Sequence, residues 1–259
     1  MKKIVLIVTL LLMVVLCSCS EESTAHRKES PVEDFEYEMY EGEIIITGYK
    51  GTDRKIYIPS KINGRPVTKI GEKAFDGYDM TSITIPDTVV SIGRYAFHRC
   101  SCLTKVVFSD KLEIISDGAF WYCGKLTEVL FPESLQKIGA YAFSDCDALT
   151  KVRFSEGLQY LGEESFANCG NLESLRIPDN TDMRMSVRTQ AIGYYGYATT
   201  FVSPVGRSST TTYFDSNTDA SAGNKEFSQL NTTIIVSDGS YAYSQVKDYT
   251  NYGLNIKVE

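Results

Sequence analysis

The sequence predicts an α/β solenoid with a 23-residue period. Short parallel strands lie on one face, short helical or 3₁₀ turns on the other, and a hairpin caps the N-terminal end. Three observations predict it. Phe97, Phe120, Phe143 and Phe166 are spaced by 23 residues. Cys100, Cys123, Cys146 and Cys169 keep the same spacing, and so do Met80, Leu103, Leu126, Leu149 and Leu172. A fixed period of this size marks stacked supersecondary units, none of which can bury its apolar side alone.

Leu149 to Leu172 illustrates one unit. Val152 and Phe154 alternate with Arg153, which is strand periodicity. Ser155-Glu156-Gly157 turns the chain, and Pro86 and Pro132 hold the place of Ser155 in other units. Proline has no N–H to offer, which suits a strand end. Leu158 and Leu161 point inward again, and Gly162 allows a tight corner. Glu164, Ser165 and Phe166 open the helical or 3₁₀ stretch, with Phe166 in the core and Cys169 in the bend. Ala96, Ala119, Ala142 and Ser165 keep the position beside each Phe small, so coils can approach closely.

Upstream the pattern is altered. Ile56-Tyr57-Ile58-Pro59 copies a strand ending, and Phe75 to Phe97 is 22 residues. Residues 35–49 alternate as a hairpin turning near Glu41-Gly42, which would cover the first coil. Residues 35–178 therefore form the cap and repeats. Residues 179–229 lose the period and contain no Leu. They fit either an excursion without fixed structure or an insertion packed through Tyr194, Tyr195, Tyr197, Phe201, Tyr213 and Phe214. In the capping repeat, 230–259, Ile234-x-Val236-Ser237 aligns with Val152-x-Phe154-Ser155. Tyr241–Tyr252 reads as a helix ended by Gly253, before a short strand at Ile256 and Val258.

Lys2 and Lys3 precede thirteen residues, Ile4 to Leu16, that are apolar apart from Thr9. The run is short for a membrane span and has the layout of a signal peptide over 1–18. Leu16-Cys17-Ser18-Cys19 resembles a bacterial lipoprotein box, with Cys19 as the lipidated first residue of the mature chain. Residues 19–34 read as a flexible tether. The acidic Ser20-Glu21-Glu22 resembles the export signal of surface lipoproteins, which implies an outer-membrane, surface-exposed location. Five cysteines remain in the folded part, an odd number, and four of them follow the repeat as small buried thiols.

The motif A-F-x-x-C-x-x-L-T-x-V-x-F occurs in residues 96–108, 119–131 and 142–154, and I-P-x-x-I-N-G-R-P-V-T-K-I-G-x-x-A-F in 58–75. This arrangement resembles the BspA-like leucine-rich repeat family of bacterial surface proteins. The resemblance implies a leucine-rich repeat fold, surface exposure and, for some members, adhesion. No catalytic residue belongs to the motif, so none is carried over. Gly239-Ser240-Tyr241-Ala242 matches the family's closing unit.

A non-catalytic binding module for a protein or glycan is the expected function. A structural component of the cell envelope and a carboxylate hydrolase using Asp145, Asp147, Glu163 or Glu164 are the alternatives. Cys-x-x-Cys, Gly-x-Ser-x-Gly, His-Glu-x-x-His and phosphate-loop motifs are missing from the sequence, so no metal or cofactor is expected. A net charge of -7 argues against nucleic acid as the partner. The outward strand positions nevertheless carry Lys55, Lys105, Lys151, Arg153 and Arg176 against one acid, Glu128. With Leu130, the residues Lys105, Lys151, Arg153 and Arg176 form the expected binding face of a monomer. It suits a host or bacterial surface protein or an acidic glycan. The aromatic residues Tyr194, Tyr195, Tyr197, Tyr213 and Phe214 are the alternative region.

Overall fold

The computed structural model describes residues 29–183, 186–188, 200–202, 205–206, 233–246 and 256–259. The hairpin forms as expected, from Phe35–Tyr40 and Glu43–Tyr49. Glu41 and Gly42 take φ of 50° and 86° between the paired ends Tyr40 and Glu43. Two left-handed residues in a two-residue loop give the turn whose twist matches the flanking strands.

Behind the hairpin the chain coils, and strands appear on two sides of each coil. One ladder runs from the hairpin through Arg65–Ile70, Ser91–Ile92, Ile114–Ile115, Lys137–Ile138 and Tyr160–Leu161 to Asp182–Met183. Beyond the hairpin the pairings along this path are parallel, and Lys61–Ile62 pairs antiparallel with Arg65–Ile70 beside it. The sequence marks Leu158 and Leu161 as inward-pointing but not as a strand, because two residues are too few to show an alternation. The other ladder contains the expected three-residue strands in three hydrogen-bonded segments. The first is Lys55–Tyr57, Ser82–Thr84 and Lys105–Val107. The second pairs Glu128–Leu130 with Lys151–Arg153. The third is Ser174–Arg176, Thr233–Val236 and Ile256–Val258. Ile234 stands opposite Leu175, which lies 23 residues after Val152, so the C-terminal repeat takes the place its alignment predicts.

The third side consists of turns. Lys73, Phe75 and Gly77 donate backbone bonds forward to Arg94, Ala96 and His98 of the next coil. Ala74, Asp76 and Tyr78 donate three residues back, to Gly71, Lys73 and Phe75. The i→i−3 bonds are the expected 3₁₀ character. Left-handed residues at Lys73, Tyr95, Tyr141 and Glu164, and again at Arg99, Tyr122, Asp145 and Asn168, stop them from continuing as a helix. Gly162 has no left-handed φ. It is needed for another reason: a Cβ there would run into the backbone of Gly139 and Ala140.

Two Phe columns fill the interior. Phe75, Phe97, Phe120, Phe143 and Phe166 stack with centroids 4.8–5.2 Å apart and planes within 13°. Phe108, Phe131 and Phe154 form a second column whose rings meet the first edge-on. Phe columns of this kind add ring–ring attraction to burial.

The described fold extends past both expected boundaries of the repeats. Residues 29–34 pack against the first coil and are not part of a loose tether. Ser30 N donates to Tyr57 O at 2.9 Å, Tyr57 N donates to Ser30 Oγ at 3.0 Å, and Val32–Asp34 form a 3₁₀ turn. At the other end Asp182–Met183 continue the ladder beyond Pro178, and Thr181 Oγ1 donates to Leu158 O at 2.9 Å. Ser186–Arg188 pair antiparallel with Thr200–Val202, and Val205–Gly206 pair with Phe166–Ala167. Tyr241–Val246 are helical, while Gly253 lies outside the described residues, as do Cys19 and the whole expected signal peptide.

Candidate functional site

The three-residue strands place alternate side chains outward, since successive residues point to opposite faces. Val129 and Leu175 are buried and Val152 is partly buried, whereas Lys105, Glu128, Leu130, Lys151, Arg153 and Arg176 are exposed. The parallel register sets Glu128 beside Lys151 and Leu130 beside Arg153. Lys151 Nζ lies 3.9 Å from Glu128 Oε2. Arg176 Nη1 donates to Glu259 Oε2 at 2.6 Å, and Lys257 also bonds Glu259. The Lys257 hydrogen bond and charge, and Arg176 after it, hold the Glu259 carboxyl below the ordinary carboxylate value. The basic row is therefore not uniform. Two of its members are tied to carboxylates, and Arg153 has no side-chain partner among the described residues. Its neighbour Leu130 is 46% exposed. The sequence missed Glu259 as a partner of Arg176 because the two are 83 residues apart.

Of the four carboxylates considered for a hydrolase, Asp145 and Glu164 link neighbouring coils. Asp145 Oδ2 accepts from Trp121 Nε1 and Ser144 Oγ, both at 2.8 Å, and Oδ1 accepts from Asn168 Nδ2 at 3.0 Å. Glu164 accepts from Tyr141 Oη at 3.3 Å. The His98 side chain is only 14% exposed. It meets Asp76 Oδ1 at 2.9 Å and is covered by Trp121 of the next coil, with ring centroids 5.4 Å apart.

The four periodic thiols are buried and free, and Cys102 is partly exposed. They do more than fill space. Cys100, Cys123, Cys146 and Cys169 donate to the carbonyls of Phe75, Phe97, Phe120 and Phe143 at 3.1–3.4 Å. Burial pushes the Cys169 thiol up to about 12 and raises Cys123 and Cys146 well above the ordinary value. These groups stay protonated and serve as donors, which a spacing pattern could not reveal. Among the described residues no group of three or more His, Cys, Asp or Glu is placed to hold a metal ion. No described helix is long and apolar enough to cross a membrane. Tyr194, Tyr195, Tyr197, Tyr213 and Phe214 lie outside the described residues.

A family model for the BspA type leucine-rich repeat region, in six copies, matches residues 68–187. A leucine-rich repeat protein of T. pallidum is 36% identical, with a TM-score of 0.57 over 58% of this chain and 72% of that one. The chain belongs to the BspA-type leucine-rich repeat family. A leucine rich cell surface protein from Faecalibacterium prausnitzii A2-165 is also similar, at 26% identity and a TM-score of 0.53, over 60% of this chain and 50% of that one. No curated protein matches. As a leucine-rich repeat domain, this chain has a solenoid fold of the kind typical of protein-binding scaffolds. Its fixed positions hold Phe, Cys, Leu and small residues for packing, and variation falls on the outward positions.

Proposed function

We propose that this leucine-rich repeat domain is a cell-surface binding module whose open strand face takes an anionic ligand, either an acidic patch of a host or bacterial surface protein or an acidic glycan. The observation that carries it is Arg153, an exposed cation without a carboxylate partner among the described residues, beside the exposed Leu130. Lys105, Lys151 and Arg176 extend the same field on neighbouring strands, about 4.8 Å apart per step. Closely placed cations raise the local concentration of anions, and salt weakens that effect. The chain as a whole carries -7, so the row opposes the overall sign. Surface placement is supported by the printed name of the Faecalibacterium relative, a cell surface protein. In this reading, lipid on Cys19 anchors the mature chain to the outer membrane.

Two measurements test this reading. On an array of sulfated and uronic glycans and acidic proteins, Arg153→Glu should lower the affinity of any ligand found at least tenfold, and added salt should weaken wild-type binding. Arg176 is left intact because it holds Glu259. A ligand bound equally well by Arg153→Glu would move the site elsewhere. Intact mass of the membrane-extracted protein should show two or three acyl chains on Cys19. A mature terminus at another residue would remove the anchor.

A further inference from the structure

The turn side carries a second constellation, made of aromatic rings. Trp121 lies 5.1 Å from Tyr122, 5.8 Å from Tyr141, 6.2 Å from Tyr95 and 5.4 Å from His98, centroid to centroid. The Tyr95 ring lies across the backbone of the next coil, where a Cβ on Gly118 would strike it. Tyr122 is 45% exposed.

Turn geometry does not account for these rings. Tyr95, Tyr122 and Tyr141 have φ of 56°, 62° and 56°. Bulky residues are outliers in this region, where glycine and asparagine sit easily. Other coils hold Lys73, Gly118 and Glu164 at the position of Tyr95 and Tyr141, and Gly77, Arg99, Asp145 and Asn168 at that of Tyr122, so the slot does not call for a ring. Three tyrosines thus stand where the backbone disfavours them and form one patch with the chain's single Trp.

The charge around the patch is the reverse of that on the strand side. Turn residues 93–102, 116–125, 139–148 and 162–171 hold Asp117, Asp145, Asp147, Glu163 and Glu164 against Arg94, Arg99 and Lys125. One cation is already seated there. The Arg94 guanidinium lies 5.6 Å over the Tyr95 ring, with its Nε 4.0 Å from Asp117 Oδ2. Ring faces attract cations, and a carboxylate alongside strengthens the attraction. Asp145, held by three donors, offers a fixed carboxylate beside Trp121 in the same way.

We propose that this aromatic and acidic patch is a second binding site, independent of the strand face, and that it seats arginine or lysine side chains of a basic segment of a partner protein. Trp121 reports on it directly, being the only tryptophan. Titrating the protein with an arginine-rich decapeptide should change Trp121 emission saturably, and a glutamate-rich decapeptide should not. Tyr122→Gly should weaken the arginine peptide at least tenfold while leaving the melting temperature unchanged or higher, since glycine suits that backbone. Asp145→Asn should weaken it severalfold, and Arg153→Ala should not alter it. No saturable change at millimolar peptide, or unchanged affinity in Tyr122→Gly, would overturn the proposal. A change caused by Arg153→Ala would place the peptide on the strand side and overturn it equally.

Discussion

The strand side and the turn side of the same coils are built under different constraints. On the strand side the backbone is extended and any residue can occupy the outward positions, as Lys105, Glu128 and Ser174 show in equivalent places. On the turn side the backbone bonds alternately to its own coil and to the next, left-handed residues recur, and coils touch through Gly162 and the backbone beside it. The turn side is therefore intolerant and the strand side permissive. A cluster of rings held in that locked frame tells more than a charge on an open strand.

The comparison can be broken from the turn side first. Phe120→Ala removes a ring stacked between Phe97 and Phe143 and should cost about 3–5 kcal/mol in urea denaturation. A smaller loss would mean that the columns close up. Alkaline pH tests the thiols. The folded pKa values of Cys123, Cys146 and Cys169 are raised, so their contribution is complete below about 9 and falls as pH climbs toward the value of about 12 for Cys169. Stability should drop by roughly 1.4 kcal/mol per pH unit for each of these three thiols in that window. Cys169→Ala should make the decline shallower by one such increment. Gly162→Ala should cost about 1–3 kcal/mol, because a methyl there meets backbone and not a flexible side chain. Gly124→Ala, with nothing near its Cβ, should be neutral or better.

The smallest effect is a gain, on the strand side. Ser155 is buried and its hydroxyl has no hydrogen-bond partner. Pro86, Pro132 and Pro178 occupy the same place in other coils. Ser155→Pro should stabilise by about 0.4–1 kcal/mol in thermal melts. Destabilisation would show that this coil bends differently from its neighbours.

The repeat, the hairpin and the place of the C-terminal unit were legible in the sequence because each keeps one residue type in one slot. Phe at intervals of 23 residues can only stack if the coils are in register. The second ladder was not legible, being two residues wide. The thiol bonds were also hidden, since nothing in the spacing says that Cys123 reaches the Phe97 carbonyl. For the strand face, the outward row could be read from alternation. The Lys151–Glu128 pair follows from the period, but Arg176–Glu259 depends on how the last unit docks. The aromatic patch escaped because Tyr95, Trp121 and Tyr122 sit at different repeat positions and meet only after coiling.

The forward bonds of the turn side also give the molecule an electrical axis. Lys73 donates to the Arg94 carbonyl, whose peptide carries the Tyr95 amide. That amide donates to Asp117, Gly118 to Ala140, and Tyr141 to Glu163. Parallel chains run through Phe75, Phe97, Phe120 and Phe143, and through Gly77, Arg99, Tyr122 and Asp145. Peptide dipoles are thus aligned head to tail along the solenoid, as they are within a helix, but across coils and with the N–H end toward the C-terminal coils. Asp145, Asp147, Glu163 and Glu164 stand at that positive end, whereas the first coils, at the negative one, mix Lys73, Arg94 and Arg99 with Glu72, Asp76 and Asp79.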